Sequence, residues 1–170
     1  PDRVRTVCDE DDRFRLIVLR RNFGQTSALS AGFDAARHEV IVPMDGDLQN
    51  DPGDIPNMLK ILEEEDLDVV AGNREKRKEN FITRKFPSMI ANWMIRKSTG
   101  LKTRDFGCSL RVIRANVARN MGLYGELHRF IPVLLHLQGA TVKQIPVQHH
   151  PRVAGKSKYG LSRSIKIMSD

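Results

Sequence analysis

The apolar run Val40-Ile41-Val42-Pro43 stops abruptly at Met44-Asp45-Gly46-Asp47-Leu48-Gln49, and that break constrains the fold more than any other stretch of the chain. A short apolar run bounded by polar residues reads as a buried strand of a parallel sheet. Such sheets bind ligands just beyond the carboxyl ends of their strands, which puts Asp45, Asp47 and Gln49 where a substrate would lie. The neighbouring segments keep the same rhythm. Phe14 to Leu19 reads as a strand, and Thr26 to Arg37 as a helix after the Asn22-Phe23-Gly24 turn. Asp51-Pro52 opens a second helix through Ile55, Met58, Leu59 and Leu62, and Leu67 to Gly72 follows as a strand. Strand, helix, strand, helix, strand over residues 14 to 72 is the pattern of a parallel α/β sheet with right-handed crossovers.

Beyond residue 72 the chain changes character. Arg74 to Lys85 is strongly basic and reads as a solvated loop, and Phe86 to Lys97 places Phe86, Met89, Ile90, Trp93, Met94 and Ile95 on one helix face. Cys108 to Ile113 reads as a strand and Ala115 to Met121 as a helix. Arg129 to Gln138 is an apolar helix with Pro132 in its first turn, and Thr141 to Val147 is the last alternating segment. No repeat, low-complexity tract or linker divides the sequence, so residues 1–170 read as one domain, long enough to bury about two-thirds of its unfolded surface.

Charge and cysteines narrow the partners. Twenty-eight Lys and Arg against 21 Asp and Glu give a formal charge of +7, which calls for an anionic partner. A nucleic-acid module should interleave aromatics with its basic residues, and only Tyr159 does so in the basic stretch near the C-terminus, so nucleic acid is not expected. Cys8 and Cys108 make neither a disulfide framework nor a zinc cluster and fit a reducing compartment. No stretch approaches the ~18 apolar residues that span a bilayer, so a soluble or peripheral chain is expected. Oligomeric state is left open, with assembly of like copies one possibility.

The chemistry-bearing groups fall into three sets. Asp45, Asp47 and Gln49 offer hard oxygen ligands, suited to Mg²⁺ or Mn²⁺ carrying a diphosphate, although Asp-Gly is also a common turn signal. Asp105, in Thr103-Arg104-Asp105-Phe106-Gly107-Cys108, lies in a loop entering a strand, where an acid either serves chemistry or caps a turn. Pro151 to Gly160 combines Arg152, Lys156 and Lys158 with Gly155, Gly160 and Ser157, a composition that suits either a phosphate-binding flap or a solvated basic loop. It is not a Walker A loop, because the upstream glycine is missing. Arg74 ends a strand like a second phosphate ligand, and His128-Arg129 precede an apolar helix where an anionic acceptor or a capping role fits. His149 and His150 alternate across a strand and cannot readily share one metal; neither is assigned a role, and His149 is a weak candidate for the site.

Six motifs in order carry a resemblance over nearly the whole chain: Arg21-Asn22-Phe23-Gly24-Gln25, Met44-Asp45-Gly46-Asp47-Leu48-Gln49, Gly72-Asn73-Arg74, Asp105-Phe106-Gly107-Cys108 with Arg111, His128-Arg129-Phe130-Ile131-Pro132, and Arg152 with Gly155-Lys156-Ser157-Lys158-Tyr159. Together they resemble the polyprenyl-phosphate glycosyltransferases of glycosyltransferase family 2, the group of dolichol-phosphate mannose synthase and the bacterial undecaprenyl-phosphate transferases. The resemblance implies an α/β GT-A (Rossmann-like) fold with a mostly parallel sheet flanked by helices. It implies a divalent metal at Asp45, Asp47 and Gln49, nucleotide contacts at Asn22, Gln25 and Asp45, phosphate contacts at Arg74, Arg152, Lys156, Ser157 and Lys158, and catalytic roles for Asp47 and Asp105. Arg111, His128 and Arg129 would face the acceptor. The implied reaction is an inverting transfer of a hexose from a UDP- or GDP-linked sugar to an undecaprenyl or dolichyl phosphate at the cytoplasmic face of a membrane. The rival readings are a family 2 enzyme with a saccharide acceptor and a non-catalytic module binding anionic lipid or nucleic acid. Family members begin with two strands ending in Pro-x-x-Asn-Glu and Asp-Asp-Gly-Ser types of segment, which hold base and ribose, and neither segment is in this sequence. The sheet is therefore expected to be incomplete at its N-terminal side, and Leu161 to Met168 to begin an amphipathic membrane-interface segment.

Overall fold

The helices and strands form where apolar periodicity and capping groups coincide. A computed structural model of the chain describes residues 2–74, 100–101 and 105–151. Helix α1 spans Asp2–Glu10 and α2 spans Gln25–Ala35, followed by the short strand β1, Val40–Ile41. Asp51 accepts the Gly53 N–H at 2.8 Å and starts a 3₁₀ turn over Pro52–Asp54, which runs into α3, Ile55–Glu64. Strand β2 is Val69–Asn73, β3 is Arg111–Arg114 and α4 is Ala115–Arg119. A 3₁₀ turn at Leu127–Phe130 leads into α5, Ile131–Leu137, where Pro132 occupies a first-turn position whose N–H has no helical partner to lose; β4 is Val142–Pro146. The polypeptide leaves α2 through Ala36, whose carbonyl accepts from Arg119 Nη2 at 2.6 Å while Arg15 Nη1 donates to Ala35 at 3.2 Å, so two guanidinium groups cover the last carbonyls.

The sheet order is β1-β3-β2-β4. Strand β2 pairs in parallel with β4, Val69 opposite Val142 through Asn73 opposite Pro146, whereas β3 is antiparallel to both β1 and β2. Three of these four strands therefore run the same way, as expected, but β1 is not the neighbour of β2. The slot between them is filled by β3, which begins at Arg111, well beyond the end of β2 at Asn73. A strand's apolar alternation carries no information about the direction of its neighbour, so the reversed strand was invisible in the sequence.

Alternation along the strands divides the core into two layers. Val69 and Ile113 face Phe33, Met121, Ile131 and Leu135, while Val70 and Val112 face Met58, Leu62, Leu110 and Ile145. Helices α2, α4 and α5 thus cover one face and α3 the other. Val69, Val70, Val112 and Ile113 are fully buried, and each such aliphatic side chain contributes about 1.5–3 kcal/mol through burial.

One predicted strand does not form. Phe14 to Leu19 pairs with no strand among the described residues, and Phe14, Ile17 and Val18 stand exposed. A strand exists only through its ladder, so β-propensity without a paired neighbour leaves isolated chain. The expected helix over Phe86 to Lys97, most of the basic run after Arg74 and the segment Leu161 to Met168 lie outside the described residues. None of the helices in the described residues is long and apolar enough to cross a membrane.

Gly72 is where the layers leave no room. A Cβ there would lie 2.7 Å from Val147 Cγ2, 2.8 Å from Cys108 Sγ and 3.2 Å from the Leu110 carbonyl oxygen. Two of those neighbours are buried side chains and the third is backbone, so Gly72→Ala is expected to destabilise by about 1–3 kcal/mol, read as a lower midpoint in urea unfolding. An unchanged midpoint would show that the β2 and β3 layers separate more easily than their packing indicates.

Candidate functional site

The acids beyond β1 are held by a built turn. Val42 and Pro43 carry the chain out of the sheet, and Asp47 Oδ1 accepts the Gln49 N–H at 3.2 Å, closing the loop on itself. Leu48 sits at φ +63°, a left-handed conformation that costs a branched residue of order 1 kcal/mol, and its side chain is exposed. A strained, exposed leucine between Asp47 and Gln49 marks a loop shaped for something other than burial.

Three neighbouring segments fix this turn. From α2, Gln25 Nε2 donates to Asp45 Oδ1 at 3.0 Å, while Asn22, one turn earlier, accepts the Gly24 N–H at 2.9 Å and shapes the entry to the helix. From the segment after β4, His149 forms an isolated antiparallel bridge with Asn50, and the His150 N–H donates to the Gln49 carbonyl at 2.8 Å. Gln49 Nε2 donates back to the His150 carbonyl at 3.4 Å, His150 Nε2 lies 3.1 Å from Asp51 Oδ2, and Asn50 Nδ2 reaches Ser109 Oγ at 2.8 Å. The acidic turn is thus laced to residues 148–150, which lead directly toward Arg152. His149 enters as a bridge partner on that lacing. A shallow pocket beside the turn is lined by Met44, Asp45, Leu48, Pro52 and His150.

Arg74 and Asp105 meet at the far end of β2. Arg74 Nε donates to Asp105 Oδ2 at 2.7 Å and Nη2 to Oδ1 at 2.9 Å, a two-pronged pair with both side chains largely buried. Gly107 N–H adds a bond to Oδ1 at 3.0 Å, and a Cβ at Gly107 would come within 2.9 Å of Arg74 Nη2, so the glycine permits the close approach. Gln144 on β4 clamps the loop: its Oε1 accepts the Asp105 N–H at 3.3 Å, and its Nε2 donates to the carbonyls of Asp105 at 2.7 Å and Gly72 at 3.1 Å. Burial works to raise the Asp105 carboxyl, but the hydrogen bonds and charge of Arg74 outweigh it and hold the group below the usual carboxylate range. Asp105 is ionised and both of its oxygens are engaged, so it orients Arg74 and does not abstract protons.

Arg111 is buried on β3, with Nη2 donating to the Phe106 carbonyl at 3.3 Å and Nε lacking a hydrogen-bond partner among the described residues. Burial pushes it down to about 10, while Cys108, Asp105 and Asp45 lie near enough for their fields to pull it back. It stays cationic at neutral pH. His128, in the turn before α5, is buried with Nδ1 2.7 Å from Thr26 Oγ1, and Arg129 Nε lies 3.8 Å from Glu126 Oε2. Burial lowers the His128 ring below its ordinary value, and the charges of Arg111 and Asp45 both act on it.

The expected site residues therefore gather in two linked groups, the acidic turn with Gln25 and the Arg74–Asp105 pair with Arg111. Arg152, Lys156, Ser157 and Lys158 lie outside the described residues. Sequence reasoning missed Gln144, Asn50, Thr26 and the His150–Asp51 contact. Only Gln144 left a trace, as a polar residue within an apolar strand.

The donor set at the turn suits a hard cation. Among the described residues no three His, Cys, Asp or Glu side chains converge into a closed cage. Two half-buried carboxylates and one amide oxygen on a single turn instead fit an ion that keeps several waters and takes its remaining ligands from a diphosphate, as Mg²⁺ does.

Residues 1–122 match the profile of glycosyl transferase family 2. The chain is 46% identical over 158 residues to a dodecaprenyl-phosphate galacturonate synthase of Rhizobium johnstonii, covering 92% of this chain and 47% of that relative. It is 38% identical over 154 residues to an undecaprenyl-phosphate 4-deoxy-4-formamido-L-arabinose transferase of Shewanella sediminis, covering 91% and 46%. The enzyme of that name from Yersinia pestis is 38% identical over 162 residues, covering 95% and 49%. The chain spans about half the length of the curated relatives it matches.

Proposed function

This chain belongs to glycosyl transferase family 2, and from that premise we propose that the complete protein transfers a hexose from a nucleotide-diphosphate sugar to a polyprenyl phosphate, with inversion. The observation that carries the reading is the buried pair of Asp105 and Arg74 beyond β2, with the buried Arg111 held to the next residue's carbonyl, Phe106, and its Nε without a partner among the described residues. Carboxylates for a cation and guanidinium groups for phosphates are the two charge types that a diphosphate leaving group and a phosphate nucleophile require.

A divalent cation, Mg²⁺ or Mn²⁺, held by Asp45, Asp47 and Gln49 would place positive charge on the leaving diphosphate. Gln25 orients Asp45, and the Gln49 N–H holds Asp47 in the same turn. Arg74, aligned by Asp105, binds phosphate oxygens, and Arg111 and Arg129 face the acceptor. A phosphate monoester is already largely anionic near pH 7, so the attack needs orientation and not a strong base, which agrees with Asp105 being fully engaged. Arg152, Lys156, Ser157 and Lys158 would close over the phosphates from the segment that follows the His150 lacing. We place the reaction at a cytoplasmic membrane surface, where a polyprenyl phosphate presents its head group, and assign the donor to the UDP- or GDP-linked class.

The deciding experiment presents a panel of UDP- and GDP-sugars, uronic acid and aminopentose donors included, to the complete gene product with a short polyprenyl phosphate. Sugar should appear on the lipid phosphate with one donor strongly preferred. Transfer to a saccharide and not to the lipid phosphate would overturn the acceptor assignment.

A further inference from the structure

Thr26 accounts for its hydrogen bonds in only one way. Its Oγ1 lies 2.6 Å from the Gly125 carbonyl oxygen and 2.7 Å from His128 Nδ1. A hydroxyl has a single proton, and two oxygens at 2.6 Å without a proton between them would repel, so the threonine donates to Gly125. Its lone pair is then what Nδ1 meets, and His128 must carry its proton on Nδ1. Thr26 lies at the start of α2 and His128 lies 102 residues later, so this contact is made entirely by the fold.

We propose that Thr26 is a positioning residue that holds His128 as the neutral Nδ1–H tautomer, so that Nε2 offers a lone pair to a hydroxyl of the transferred sugar. The charges that act on the ring are those of Glu126, Arg129, Arg111 and Asp45, two of each sign, and burial favours the neutral form. No hydrogen bond to Nε2 is made among the described residues. A phosphate dianion presents only lone pairs and would repel that nitrogen, and the site already holds Arg74, Arg111 and Arg129 for phosphates. The substrate O–H donors are those of the transferred sugar and of the donor's ribose, and the family resemblance assigns the ribose to segments that this sequence does not contain, which leaves the transferred sugar. His128 thus serves recognition of the sugar by accepting a hydrogen bond, in place of the cationic contact to the acceptor that its position before a helix suggests.

The inference rests on the glycosyltransfer reading for its substrate, but not for the tautomer. With ¹⁵N-labelled histidine in the complete protein at pH 7.5, two-bond ¹⁵N–¹H correlations should show His128 protonated on Nδ1, unchanged in Thr26→Ser and redistributed toward Nε2–H in Thr26→Val. Wild-type His128 protonated on Nε2 would overturn the proposal whether or not the protein transfers sugar. In the transfer assay, Thr26→Val should raise the KM of the sugar donor about tenfold at a nearly constant kcat, the loss of one well-oriented hydrogen bond, with Thr26→Ser restoring it. Among deoxy donors, the one lacking the recognised hydroxyl should show that KM already with the wild type and no further change in Thr26→Val. A donor KM unaffected by Thr26→Val would overturn the sugar contact. Wild-type protein that transfers no sugar would defeat the glycosyltransfer reading instead, and the spectra would still decide the tautomer.

Discussion

Asp47→Ala in the complete protein is expected to abolish metal-dependent sugar transfer, with turnover down about 10³-fold or more. The carboxylate is one of two on a turn that has no other acidic donor, so its loss removes a charged ligand that Gln49 cannot replace. Folding and chemistry are separable here. Asp47 Oδ1 accepts the Gln49 N–H, and an asparagine at 47 keeps that acceptor while deleting the charge. Asp47→Asn should therefore fold with a native unfolding midpoint yet transfer as poorly as Asp47→Ala, measured with a radiolabelled donor and a short polyprenyl phosphate. Unchanged turnover in either variant would remove the cation from the mechanism.

Asp105→Ala is expected to cost stability as well as activity. It strands the largely buried Arg74 without the carboxylate that takes its Nε and Nη2, and it leaves the Gly107 N–H without its acceptor. Breaking one side of a buried ion pair costs about 3–5 kcal/mol, equivalent to roughly 10 °C in Tm for a domain of this size. Replacing both partners, as Arg74→Met with Asp105→Leu, should recover much of that stability and none of the transfer. The acid limb gives an independent check. Because folding depresses the Asp105 carboxyl, its contribution is complete above the unfolded value near 3.9 and disappears as pH falls through the lower folded value. Urea unfolding of the wild type should lose stability below about pH 4, and Asp105→Ala should lose less over the same interval. A wild-type acid limb identical to that of the variant would mean that the pair contributes little to folding.

Local pattern was legible wherever one segment's chemistry decides the outcome. Helix α3 follows from Asp51-Pro52 and from Met58 and Leu62 on one face, and the structure buries both. Strand β4 falls within its expected segment, while β2 and β3 start later than expected and run one residue past it, to Asn73 and Arg114, because a strand lasts as long as its ladder. Phe14 to Leu19 failed for a related reason: its apolar run is suited to a strand, but it pairs with no neighbour among the described residues. The α2 helix was legible from its alanines, yet the use of Thr26 was not, because a threonine in the first turn of a helix has many local explanations.

The sequence by itself determined the α/β alternation, the acidic turn beyond Val42 and the motifs that carry the family, since each is written within a few consecutive residues. Tertiary structure alone decided that a reversed strand lies between β1 and β2, that Asp105 is committed to Arg74, and that the His128 ring meets the Thr26 hydroxyl. These depend on partners 31 to 102 residues apart, and hydrogen bonds across such distances leave no periodicity to read. The Asp45–Gln49 turn shows the division most clearly: its ligands can be read in order along the chain, whereas the groups that orient and neutralise them come from α2, β3 and the segment after β4.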